Sequence, residues 1–182
     1  MLGKWDCGGV PCDEECSVFN QMLRDVIAVA YNAVCRDMPT EFCQQFTGYV
    51  TVGEPSNPSG DYIAAWIQDV SPYNPRNNQQ TALQRIPRGL MAVGVKLLET
   101  GWPMIGETSP RALPSLETIT GVAMESNAHA ERVSRALWNA VVTRQMLENC
   151  GCCFMGMGSM RPVPASGGMV GWVWTVQLEV PW

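Results

Sequence analysis

The stretch that most narrows the fold lies at the C-terminal end. Across residues 169–180, Val170, Trp172, Trp174, Val176, Leu178 and Val180 alternate with Gly171, Thr175, Gln177 and Glu179. Side chains along a strand point to opposite faces in turn, so this period of two predicts a strand with one face buried. Such a strand needs neighbours in a sheet and a second layer over its apolar face. The preceding residues supply one neighbour. Residues 154–160 lead into the loop Pro162-Val163-Pro164-Ala165-Ser166-Gly167-Gly168, which turns the chain back as a hairpin.

Further strands lie upstream. Phe46-Thr47-Gly48-Tyr49-Val50-Thr51-Val52 is rich in β-branched and aromatic residues, and a turn cluster over residues 53–60 follows it. In residues 61–70, Ile63, Ala65 and Ile67 fall on one face and Tyr62, Trp66 and Val70 on the other, which predicts a strand covered on both sides. Residues 72–80 form a polar loop without periodicity, a candidate contact arm. Residues 90–98 place Met91, Val93, Val95 and Leu97 on one face, and Gly101-Trp102-Pro103 closes that strand.

Two segments have the period of a helix instead. In residues 17–37, Val18, Phe19, Met22, Leu23, Val26, Ile27, Ala30 and Val34 recur at spacings of three and four, with Ser17 as N-cap and Pro39 ending the run. A second helix runs from about Ser126 to Asn149, with Ala130, Val133, Leu137, Ala140 and Val141 as its apolar stripe and Glu131, Arg132 and Arg135 on its wet face. The expected fold is α+β: an antiparallel or mixed sheet of about five strands with two main helices packed on one side. With 182 residues, the chain fits one domain, expected over residues 17–182 behind an N-terminal arm of residues 1–16.

Composition bounds the function. Charged residues make up 16% of the chain, below the average of about 25%, so part of the surface is expected to be covered by another molecule. A net charge of -5 has the wrong sign for holding nucleic acid by phosphate neutralisation. The N-terminus has no apolar signal-peptide core, and no apolar run approaches the roughly 18 residues of a membrane span. A soluble protein of the cytosol, away from membranes, is expected. Asp13, Glu14 and Glu15 precede the first helix, where negative charge favours its dipole, a better reading than metal binding.

The eight cysteines form an early group, Cys7, Cys12, Cys16, Cys35 and Cys43, and a late one, Cys150, Cys152 and Cys153. The early spacing comes close to a zinc half-site, but the late one is too tight for a standard knuckle, so buried or half-buried thiols are favoured over zinc. Disulfides in a mature extracellular particle are a third reading. Catalytic constellations are missing. The sole histidine, His129, has no partnered nucleophile motif and reads as an ordinary exposed or capping residue rather than a general base. Met155-Gly156-Met157-Gly158-Ser159 lacks the third glycine and following helix of a dinucleotide loop and reads as strand packing. Trp172 and Trp174 read as core or inter-subunit packing rather than a stacking platform for sugars or bases. No catalytic, cofactor-binding or metal residue is therefore assigned, and the expectation is a non-enzymatic protein without cofactor.

The succession Tyr49-Val50-Thr51-Val52-Gly53-Glu54-Pro55, then residues 63–70, then Val93-Gly94-Val95-Lys96-Leu97-Leu98 ending in Pro103 resembles the tail terminator (tail completion, neck) proteins of long-tailed phages infecting actinobacteria. The Trp138-bearing helix, the Cys150-Gly151-Cys152-Cys153 turn and Gly167-Gly168 leading into residues 171–180 are similar to the family's second half, so the likeness spans about residues 17–181. The resemblance implies a structural virion protein that forms a ring, usually a hexamer, capping the finished tail tube. It would end tube polymerisation and offer the surface to which the head docks. Implied partners are copies of itself, the major tail tube protein and a head-tail connector or stopper protein, with DNA passing through the lumen without specific binding. Its place would be the head-tail junction at the top of the tail, after assembly in the host cytoplasm. A cyclic ring needs two different, complementary patches per subunit, and the loops at residues 56–60, 72–80 and 162–168 are candidates for them. Another head-tail connector protein, an adaptor or stopper, is the alternative within that class; a small zinc- or ligand-binding domain is the alternative outside it.

Overall fold

The alternating residues near the C-terminus do form a strand, and it lies inside a sheet rather than at its edge. The structure, a computed structural model, describes residues 17–36, 38, 40–56, 60–72, 88–101, 114–147, 150–166 and 168–181. Its strands are β1 (Thr47–Val50), β2 (Tyr62–Pro72), β3 (Arg88–Thr100), β4 (Met146–Leu147), β5 (Cys152–Ser166) and β6 (Met169–Pro181). They make one curled sheet in the order β1-β2-β3-β6-β5-β4. All pairs are antiparallel except β1 with β2. The helices are α1 (Val18–Cys35), the one-turn α2 (Thr40–Cys43) and α3 (Leu116–Val142). The α+β class is as expected, with six strands instead of about five. The extra one is β4, two residues long and too short to leave a pattern.

The two faces of the sheet are covered differently. Met91, Val93, Val95 and Leu97 of β3 line up across the register with Trp174, Val176 and Leu178 of β6, and α1 and α3 pack over this face. Met22, Leu23, Val26, Ile27, Ala30 and Val34 of α1 join the same core, as their spacing predicts. The opposite face holds a smaller cluster, Tyr62, Ala64, Trp66, Leu98, Val163, Met169 and Val173, so β2 is buried on both sides up to Trp66. The register pairs Trp66 with Gly94, and the indole occupies the space a β-carbon on Gly94 would need. After Ile67 a bulge shifts the pairing, and Val70 ends at the surface.

Three sequence expectations need correction. Helix α3 begins at Leu116 rather than near Ser126, because Ser115 caps it: its hydroxyl accepts the Thr118 N–H at 3.1 Å. The first ten residues of α3 face mostly outward and leave no apolar stripe. The helix stops at Val142, and Arg144 just beyond takes a left-handed conformation with φ 48°. The third correction concerns residues 162–168. Pro162 and Val163 belong to β5, paired with Trp172 and Gly171 of β6. Proline is tolerated there because, among the described residues, β5 has no partner on its outer side beyond Cys153. Ser17 does occupy the N-cap of α1, although its side chain makes no capping bond. The arm of residues 1–16, Pro39 and residues 73–80 lie outside the described residues.

Candidate functional site

The inward-facing rows of β3 and α3 bring the one histidine to a carboxylate. Continuing the odd-numbered row of β3 past Leu97 puts Glu99 on the helix-covered face, 8% exposed. The buried row of α3 runs Ser126, His129, Ala130, Val133, Leu137 and Ala140. Glu99 Oε1 and His129 Nδ1 meet where the rows cross, and His129 is only 2% exposed. The exposed or capping histidine expected from the sequence is therefore a buried one, held by a carboxylate that the alternation in β3 points straight at. Beside the pair, Asp61, Glu125, Ser126 and Gln45 line a cleft of about 210 Å³ at the ends of β2 and β3. Asp61 Oδ1 accepts the Thr100 N–H at 2.6 Å. Glu99 Oε2 and Ser126 Oγ are buried and have no hydrogen-bond partner among the described residues.

The cysteines divide by environment. Cys35 and Cys43 form a disulfide joining the end of α1 to α2, against the thiols favoured for them from spacing. The α1–α2 turn brings together two positions whose separation in sequence carries no disulfide signature. Cys150, Cys152 and Cys153 are reduced, as expected. A hydrogen bond from Cys152 holds the Cys150 thiol below its usual pKa. The same bond, reinforced by burial, pushes Cys152 far up, so Cys152 stays a neutral packing group. Among the described residues, no three of His, Cys, Asp and Glu converge closely enough to hold a metal ion. Cys7, Cys12 and Cys16 lie outside them.

The sheet face away from the helices carries its own polar latch. Lys96 is buried; its Nζ donates to the Pro55 carbonyl at 2.8 Å and lies 3.7 Å from Glu54 Oε1. Burial draws the Lys96 pKa below its ordinary value, with Glu54 opposing. Arg161 of β5 reaches the other Glu54 oxygen at 2.5 Å. The segment after β1 is thus fastened over the sheet, and Tyr62 is enclosed beneath it, its hydroxyl 3.4 Å from the Ser56 carbonyl. Burial, followed by the charge of Glu54, raises the Tyr62 pKa to about 12.

The exposed apolar side chains include Leu116, Ile119 and Met124 on the first turns of α3, a group at β1 and a group around β4 and the last turns of α3. At the β1 end are Tyr49, Val50 and Val52. At the β4 end are Met146, and Trp138 and Val142 from the last turns of α3, exposed by 62%, 58% and 63%. Trp138 and Val142 also border a groove between α1 and α3 of about 920 Å³, with Arg36, Arg132 and Arg135 on its walls. The other tryptophans singled out by pattern lie inside. Trp174 is fully buried and its indole N–H donates to Ser134 Oγ at 2.8 Å, while Trp172 packs against the main core. Met155, Gly156, Met157, Gly158 and Ser159 lie within β5, as strand packing predicts. No helix among the described residues is long and apolar enough to cross a membrane. No protein-family model matches the chain, and no curated protein matches it.

Proposed function

We propose that the chain is a non-enzymatic structural protein of a long-tailed phage, a tail terminator whose copies form a ring of six on the end of the tail tube. The observation that supports this reading is a pair of unlike apolar surfaces, one at β1 and one formed by β4 and the last turns of α3. Tyr49 and Val50 lie on β1 and Val52 just after it; Met146 lies on β4 at the other edge, and Trp138 and Val142 stand on the last turns of α3, bordering the α1–α3 groove. A head-to-tail ring requires two different surfaces per subunit, whereas a two-fold dimer needs only one. Exposed tryptophan and methionine beside arginine are the side chains enriched where proteins meet. The resemblance in the order of elements supplies the tube, the docking head-tail connector and the DNA-filled lumen as expectations for the assembled ring.

The polar groups are consistent with a role that involves no turnover. His129 is enclosed and engaged with Glu99, and the Cys152 thiol is held neutral. The Cys35–Cys43 disulfide suits a particle that leaves the reducing cytosol. Purified chain should therefore assemble, by itself or on purified tube protein, and cap tubes so that they stop growing. Tubes that elongate unchanged in its presence would remove the terminator role.

A further inference from the structure

The acidic cleft beside His129 is a built site to which a ring surface assigns no task. Asp61, Glu99 and Glu125 converge on about 210 Å³, and two buried polar atoms lining it, Glu99 Oε2 and Ser126 Oγ, lack hydrogen-bond partners among the described residues. A buried carboxylate oxygen without a donor is unfavourable unless a donor arrives from outside. The donor set does not suit a bare ion, since no three of these groups converge closely enough to ligate one. It suits a larger cation that spreads its hydrogen bonds across several acceptors. A guanidinium is planar, always charged and presents five N–H groups in a fixed fork, the shape that carboxylates accept best.

We propose that this cleft receives the guanidinium of an arginine carried by a neighbouring polypeptide. Glu99 Oε2 and Ser126 Oγ accept from its inner edge, and Asp61 and Glu125 supply the opposing charge at the mouth. The assignment does not depend on ring formation, because a single copy contains the whole site.

His129 is the sole histidine, so its ring signals in a nitrogen-15 spectrum report on the cleft without ambiguity. The full chain is titrated with acetyl-Gly-Arg-Gly-amide, with the same peptide carrying citrulline for arginine, and with spermidine. The expected result is a saturable shift of the His129 signals with the arginine peptide, none with the neutral citrulline peptide and a weaker response to spermidine. The variant Glu125→Gln, at an exposed position, should keep its circular dichroism and bind the arginine peptide about threefold more weakly, as expected for losing one solvent-facing charge. No saturable shift, or equal shifts with arginine and citrulline, would overturn the site. Tighter binding of spermidine than of the peptide would overturn the polypeptide as its source.

Discussion

Glu99 and His129 lie between the sheet and α3, in a layer otherwise built of Leu97, Ala130 and Val133. Each is tolerable there because the other is present, so removing one leaves a buried polar group without its partner. His129→Ala should lower stability by about 3–5 kcal/mol in urea unfolding, although an exposed histidine would have been nearly neutral. The double variant Glu99→Leu/His129→Leu should lose less than the single one, since an apolar pair replaces the polar pair. Tyr62 adds a dependence on alkaline pH. Its pKa is raised from 10.0 to about 12 in the folded chain, so its contribution is fully present below pH 10 and is lost as pH rises from 10 to 12, where the unfolded chain ionises first. Tyr62→Phe should flatten that part of the stability profile. Reducing the Cys35–Cys43 bond should cost about 2 kcal/mol, the low end for a short loop, measured with and without reductant.

At the scale of elements, close packing of β2 on β3 leaves no room for a side chain at Gly94, where the Trp66 indole lies. Gly94→Ala should destabilise by about 1–3 kcal/mol in the same unfolding assay. What was legible in the sequence follows from this kind of packing. The rows Met91 to Leu97 and Trp172 to Val180 each face one layer, and their alternation says so. Helix α1 was readable for the same reason, its apolar stripe facing one sheet. The start of α3 was not, because its first turns project past the core and only the Ser115 cap marks them. The β5 segment through Pro162 looked like a loop, since proline reads as a break unless the strand is known to be an edge. The cleft was hidden for another reason. Asp61 immediately precedes β2, Glu99 belongs to β3, and Glu125 and Ser126 belong to α3, so only the β2–β3 register and the placement of α3 bring them together.

At the scale of the molecule, the six strands among the described residues form one sheet whose two edges differ. Among the described residues β1 is an edge strand carrying Tyr49 and Val50, while β4 carries Met146 and the last turns of α3 carry Trp138 and Val142 beside arginines. Joining the two unlike surfaces in sequence around a closed circle would give the proposed ring. Because Trp138 and Val142 are exposed in the single chain, Trp138→Asp and Val142→Asp should block association while leaving the melting temperature nearly unchanged. The most direct measurement is the mass of the purified chain in solution, alone and mixed with tail tube protein, by mass photometry and sedimentation. The expected result is a species of about 120 kDa, six copies of the 20.0 kDa chain, free or on tube ends, that the Trp138→Asp variant fails to form. A chain that stays at 20.0 kDa in both conditions, or a variant that assembles as well as the parent, would contradict it.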